Sequence, residues 1–231
     1  MPDTLIEAQS VCRRYQQGGV SIAAVVSATF RLCGKDRVAL VGRSGSGKST
    51  LIHLMAGLDV PTSGMLRWPA LGAAGTLLPG KISLVFQTPS LLEPLTVSEN
   101  VALPLLMAKV QGDIGSAVAD ALATFGLADL ASKLPEALSG GQMQCVAMAR
   151  AIAGKPSVIL ADEPTGQLDQ PTGRALLDAL LAHLSGTATA LVVATHDPAV
   201  AARMDTIWHM QHGTLSSTGS TGSTGSTAGC V

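Results

Sequence analysis

The chain has 231 residues, 47% of them hydrophobic and only 13% charged, with a formal net charge of -1. That length supports one substantial core and is too great for a disulfide-stapled miniature. The near-neutral balance gives no electrostatic case for a nucleic-acid partner, since a phosphate-binding surface shows as a basic excess.

The N-terminal segment carries Asp3 and Glu7 where a secretory signal needs an uninterrupted apolar core. The first buried strand is predicted at residues 37–42, Arg-Val-Ala-Leu-Val-Gly, a nearly continuous apolar run that ends on glycine. Similar runs follow at 82–86, 157–161 and 190–195. Continuous apolar character, in place of alternation, marks strands covered on both faces, as in a parallel sheet flanked by helices. Polar turns and helix-compatible segments follow most of these runs, which argues α/β. Between residues 95 and 153 the strand signal disappears: 97–110 and 114–125 have apolar residues at helical spacing, punctuated by Gly112 and Gly126, and 141–153 continues the helical character. This block is expected to be a helical subdomain inserted into the core. From Ser217 to Thr227 the chain repeats Ser-Thr-Gly, without the apolar surface that offsets ordering entropy, so residues 217–231 are expected to form a flexible tail.

Cys12, Cys33, Cys145 and Cys230 are scattered, with no C-x-x-C pair and no histidine at ligand spacing. Reduced thiols in a cytosolic setting are expected. No apolar run approaches the about 20 residues of a membrane-crossing helix, so a membrane role requires other subunits that do the spanning.

The segment Gly42-Arg43-Ser44-Gly45-Ser46-Gly47-Lys48-Ser49-Thr50 follows the first strand and precedes the periodic Leu51, Leu54 and Met55. It satisfies G-x-x-x-x-G-K-[ST] in the strand–loop–helix setting the motif needs. Glycines let successive backbone N–H groups converge on an anion at a helix N-terminus. Lys48 is placed to reach the β- and γ-phosphates, and the Ser49 hydroxyl to reach Mg²⁺. The motif indicates nucleotide binding without separating a transporter ATPase from a kinase or a GTPase. The strand at 157–161 leads into Asp162 and Glu163. Adjacent acids at a buried strand end are expensive unless a cation or a reaction uses them; in phosphoryl transfer the first would hold Mg²⁺ and the second polarise the attacking water. The competing reading, a strand running into a solvated loop, loses ground once the phosphate loop is present. Leu138-Ser139-Gly140-Gly141-Gln142 opens a helix with a serine and exposed N–H groups, either as an anion contact or as an ordinary serine cap.

With these motifs in this order the chain resembles the ABC ATPases over most of its length, from about Leu5 to Leu215. The segment SGSGKSTLIHLMAGLDVPTSG at 44–64 and LTVSENVALPL at 95–105 are similar to the lipoprotein-releasing and macrolide-exporting branch. The resemblance implies a P-loop NTPase core over residues 1–93 and 154–216 with a mostly parallel sheet, a small antiparallel β part near the N-terminus, and the helical insertion at 94–153. It implies that Tyr15 stacks on adenine and that Gly42, Ser44, Gly45, Ser46, Gly47, Lys48, Ser49 and Thr50 hold the phosphates of ATP. By the same resemblance Gln87 joins Mg²⁺ and the attacking water to the membrane-subunit interface. Ser139, Gly141 and Gln142 contact the γ-phosphate bound to a partner protomer, and Asp169 couples the two sites. Ser49, Gln87 and Asp162 serve the metal, Glu163 is the general base, and His196 holds the γ-phosphate. The implied partners are a second copy (or another ABC ATPase) and an integral membrane permease, with no nucleic acid and no direct contact with transported substrate. The implied location is cytoplasmic, peripheral on the inner face of the membrane.

Two departures stand out. Cys145 replaces an arginine common in this family after the signature, here Leu138–Gln142, and a thiol cannot reproduce five guanidinium donors. Gln167 occupies a place where a small residue is usual. A non-transport role, such as cell-division signalling through a membrane partner, is the alternative. A DNA-repair ATPase is disfavoured by the short stretch between Thr50 and Leu138, which has no sustained heptads.

Overall fold

The computed structural model describes residues 3–218. They fall into two compact units, residues 3–77 with 190–218 and residues Leu78–Thr189.

The first unit begins with two long strands, β1 (Thr4–Gln17) and β2 (Val20–Cys33), paired antiparallel with Gln17 opposite Val20. Gly18 and Gly19 make the turn with φ of 57° and 81°, the left-handed pair that a tight hairpin between right-twisted strands requires. Then come β3 (Arg37–Val41), α1 (Lys48–Met55) and β4 (Ser63–Arg67), with β4 antiparallel to β1. In the second unit lie β5 (Ile82–Val85), α2 (Val97–Met107), α3 (Ile114–Thr124), α4 (Gly140–Ala153), β6 (Val158–Asp162) and α5 (Gln170–Leu184). The chain returns to the first unit for β7 (Ala190–Thr195), α6 (Pro198–Ala201), β8 (Thr206–Gln211) and β9 (Thr214–Thr218).

Strand order in the first unit is β4-β1-β2-β9-β8-β3-β7. β3 runs parallel to both β7 and β8, whereas β8 and β9 form an antiparallel hairpin. All six residues of β7 are buried, and Leu191, Val192 and Val193 have no exposed surface. Each such side chain contributes about 1.5–3 kcal/mol by leaving water. The Phe30 and Trp208 rings pack at 4.8 Å between centroids and fill the same core.

In the second unit β5 and β6 are parallel, Ile82 opposite Val158. The helices start where the sequence provides caps. Thr96 and Glu99 form a reciprocal capping box on α2, and Asp113 accepts the Ser116 N–H at the start of α3. α4 packs against α2, α3 and β5, burying Val146, Met148 and Ile152.

The α/β class, the parallel strands at the four predicted runs and the N-terminal antiparallel part are all present. Strand ends differ by a residue: β5 stops at Val85, and β6 is shifted to take in Asp162. Cys12 and Cys145 are free thiols as expected, but Cys33 is disulfide-bonded, against the expectation of reduced thiols; scattered cysteines give no spacing from which a pair can be read. β9 includes Ser217 and Thr218, the first two residues of the expected tail, and its remainder at 219–231 lies outside the described residues.

Candidate functional site

The expected site residues are divided between the two units: Tyr15, the 42–50 loop and His196 in the first, and Gln87, Ser139, Gly141, Gln142, Asp162, Glu163 and Asp169 in the second.

In the first unit β3 ends at Val41 and the chain curls through Gly42–Gly47 into α1. The Ser46 N–H donates to the Arg43 carbonyl at 3.1 Å, closing the turn, and the Gly213 N–H donates to the Ser46 carbonyl at 3.1 Å, tying the loop to the β8–β9 hairpin. Gly47 is the α1 N-cap with φ 104°, and no side chain caps the first N–H groups of the helix. Two glycines are dictated by space. A Cβ on Gly47 would lie 2.2 Å from the Ala24 carbonyl oxygen, and one on Gly42 would lie 2.4 Å from the Met210 carbonyl oxygen and 2.5 Å from Ser46 Oγ. The buried Lys48 donates from Nζ to the Gly42 carbonyl at 2.7 Å and to the Arg43 carbonyl at 3.4 Å, which sets its ammonium inside the loop. Ser46 Oγ is buried without a hydrogen-bond partner in the protein. A loop of N–H groups, an inward ammonium and an unpartnered hydroxyl fit a polyphosphate.

Also in this unit, the exposed His196 follows β7 directly. Its neighbour Asp197 caps α6 by accepting the Ala199 N–H at 2.7 Å. Tyr15 lies on β1 with its hydroxyl donating to Asp59.

In the second unit β6 delivers Asp162 and Glu163. Asp162 Oδ1 is buried and has no hydrogen-bond partner in the protein. A carboxylate oxygen is not left this way without cost unless a cation completes it, and a hard oxygen donor suits Mg²⁺. Glu163 has φ 48°, the left-handed region that costs a non-glycine residue about 1–3 kcal/mol and that clusters at functional sites. The turn closes when the Gly166 N–H donates to the Glu163 carbonyl at 3.0 Å.

Ser139 is the N-cap of α4: its Oγ accepts the Gln142 N–H at 3.2 Å, and Gln142 Oε1 accepts the Ser139 N–H at 2.8 Å. Both side chains therefore act as a capping box, and the ordinary structural reading of this serine holds alongside any anion contact. A Cβ on Gly141 would meet Thr172 Cγ2 at 3.4 Å and Leu168 Cδ2 at 3.7 Å, so the signature turn and the 168–169 loop lie together. Asp169 caps α5, accepting from the Thr172 N–H at 3.0 Å and its hydroxyl at 2.9 Å. Those bonds from Thr172, the backbone one foremost, hold its carboxyl below the usual aspartate range.

Gln87 is exposed, just beyond β5. The loop around it is gripped by α4 at both ends. Gln144, 3% exposed, donates from Nε2 to the Phe86 carbonyl at 3.5 Å, and Arg150 donates to the Ser90 carbonyl at 2.7 Å. Asn100, fully buried on α2, then holds Leu92 and Leu95 through their backbone groups. Sequence reasoning missed these three residues. The available signal was a polar side chain set among apolar neighbours, Gln144 in α4 and Asn100 in α2. Cys145, half-buried between the two α4 contacts, has its thiol pushed up by burial, consistent with a small packing residue.

A family model described as ABC transporter matches residues 26–166. The chain is 37% identical over 223 residues to the lipoprotein-releasing system ATP-binding protein LolD of Legionella pneumophila (strain Lens), covering 93% of this chain and 98% of that protein. This chain belongs to the ABC transporter ATP-binding family. Among solved structures, the ATP-binding cassette MJ0796 in a dimeric post-hydrolysis state with ADP and Pi matches with a TM-score of 0.80 and 34% identity, over 91% of this chain and 96% of that one. A second dimeric structure of MJ0796, described as a bacterial ABC transporter cassette, matches equally well. The chain is therefore a nucleotide-binding ATPase subunit of an ABC transporter. Among the described residues no helix is long and apolar enough to cross a membrane.

Proposed function

We propose that this ATPase works as a homodimer beneath an integral membrane subunit, at the cytoplasmic face of the membrane, and drives release or export of a lipoprotein, peptide or drug-like cargo that it does not itself touch. The observation that carries the catalytic half is the buried, unpartnered Asp162 Oδ1 beside Glu163 at the end of β6. Ser49, Asp162 and Gln87 are the residues that would hold Mg²⁺, which when bound neutralises charge on the β- and γ-phosphate oxygens.

The chain's own groups then have distinct tasks. Lys48 and the N–H groups of the 42–50 loop bind and orient the phosphates. Glu163 takes a proton from the water that attacks the γ-phosphorus, as the bond to the ADP oxygen breaks and phosphate leaves. His196 holds the γ-phosphate in line, and Gln87 steers the water. In a two-fold pair, Ser139, Gly141 and Gln142 of the second copy would close each site, with Asp169 linking the two. Closure on ATP and loosening after hydrolysis supply a mechanical stroke to the membrane subunit. The dimeric state of the matched cassettes supports the pairing. Phe86 and Leu92, exposed on either side of Gln87, with Leu106 and Met107 at the end of α2, offer apolar surface for the membrane subunit. The matched relative is named for lipoprotein release, which favours transport over signalling.

Depleting the chain in the cells that make it tests the cargo reading. Lipid-modified proteins are expected to accumulate in their membrane of origin, or drug efflux to fall, with recovery on re-expression of the unaltered chain and not of Glu163→Gln. Unchanged lipoprotein distribution and unchanged efflux would overturn the release role.

A further inference from the structure

Tyr15 is the single tyrosine of the chain and is 37% exposed on β1. An exposed tyrosine that merely covers surface keeps its rotamer freedom. This one does not. Its hydroxyl donates to Asp59 Oδ2 at 2.6 Å, and the Arg13 guanidinium carbon lies 4.6 Å from its ring centroid. Arg13 is also fixed, with Nε donating to Asp59 Oδ2 at 2.8 Å and Nη2 reaching Oδ1 at 2.6 Å. Three side chains thus close a ring of contacts.

Arg13 and Tyr15 reach Asp59 from the same side of β1, across a register shift between Arg13 and Arg14. Asp59 comes from the loop that follows α1, and that loop is joined to β1 by the Thr62 N–H donating to the Cys12 carbonyl at 2.8 Å. Burial alone would push the Asp59 carboxyl up, but hydrogen bonds from Tyr15, the Val60 N–H and Arg13, with the charge of Arg13, hold it below the usual aspartate range. It is therefore ionised at neutral pH, and the phenol must donate to it. With the guanidinium over one ring face, only the opposite face remains for a planar ligand, and the cation polarises the ring toward it.

We propose that Arg13 and Asp59 are positioning residues for the nucleotide base: they lock the Tyr15 ring in one orientation, so the base stacks on a platform already ordered before it arrives. This rests on Tyr15 being the base platform. The gain comes from ordering the ring in advance, which lowers the entropy lost on binding. Because Asp59 lies just past α1, the clasp also joins the base platform to the helix whose first turn receives the phosphates.

The test uses the full chain with 3-fluorotyrosine incorporated, which places the ¹⁹F label at a single site because there is one tyrosine. In the unaltered chain the resonance is expected to shift with MgADP and to stay in place with inorganic tripolyphosphate, which has no base. Arg13→Ala and Asp59→Asn are expected to weaken MgADP binding about three- to tenfold while tripolyphosphate binding is unchanged. Should Arg13→Ala not fold, as judged by its thermal transition, Asp59→Asn carries the same test. No ¹⁹F shift with MgADP in the unaltered chain would overturn the platform and the clasp with it. A shift, combined with unaltered MgADP affinity in the folded variants, would overturn the clasp and leave the platform standing. Equal loss for both ligands would reveal a merely structural tie and also overturn the proposal.

Discussion

Two glycines of one loop should respond very differently to the same added methyl group. Gly45 and Gly47 both have positive φ, 76° and 104°, so alanine at either position costs about 1–2 kcal/mol in backbone strain. A Cβ on Gly45 meets nothing within 4 Å, whereas one on Gly47 would lie 2.2 Å from the Ala24 carbonyl oxygen and 2.9 Å from Met210 Cε. The methionine end can swing aside; the β2 backbone cannot without disturbing the hairpin. Overpacking of this kind adds about 1–3 kcal/mol. Taking about 1.4 kcal/mol per tenfold, Gly45→Ala should weaken nucleotide binding about 5- to 30-fold and Gly47→Ala about 30-fold to several thousandfold. Titration with a fluorescent ADP analogue, beside a thermal melt of each variant, measures both. Equal losses at the two positions, or Gly47→Ala binding like the unaltered chain, would refute this reasoning.

Arg150→Ala should lower kcat by removing a charge-assisted bond worth about 1.5–3 kcal/mol, and the loss should vanish when Gln87 is already alanine. Steady-state ATPase rates of the two single variants and the double variant decide this, additive losses counting against the α4 grip on the loop around Gln87. Stability should also carry an acid slope from Asp59. Its carboxyl is lowered in the folded chain, so its contribution is complete above the ordinary aspartate value of about 3.9 and is lost as pH falls through the lowered value. Urea midpoints between pH 5 and pH 2 should therefore fall less steeply in Asp59→Asn, about as much less as one perturbed carboxylate contributes.

The runs that became β3, β5, β6 and β7 were legible because strands buried on both faces are nearly all apolar. β1 and β2 were not legible as strands, although each is 14 residues long. Register shifts between Thr4 and Ile6, Ala8 and Val11, and Val11 and Arg13 break the alternation by which a half-exposed strand announces itself. The β8–β9 hairpin was overlooked for another reason: its strands mix Trp208 and Met210 with polar residues, and the signal lay in the His212-Gly213 turn, both with positive φ. At the candidate site, motif spacing picks out the 42–50 loop and the Asp162-Glu163 pair because their proposed chemistry is local in sequence. The Arg13–Asp59 contact spans a separation of 46 residues, and the Arg150–Ser90 contact one of 60. No periodicity relates such partners, since only the folded chain brings them together. The capping of helices by Ser139 and Asp169 was half visible, as serine and aspartate are the residues a helix start favours.

The central claim is that two copies bury nucleotide between the lysine loop of one and the signature turn of the other. Glu163→Gln keeps the shape of the carboxylate but removes the base, which should slow hydrolysis about 10²- to 10⁴-fold while ATP still binds. Light scattering of this variant with Mg-ATP should show twice the mass of the nucleotide-free chain, with one ATP retained per copy. A particle that keeps the mass of a single chain and releases its nucleotide freely would contradict it.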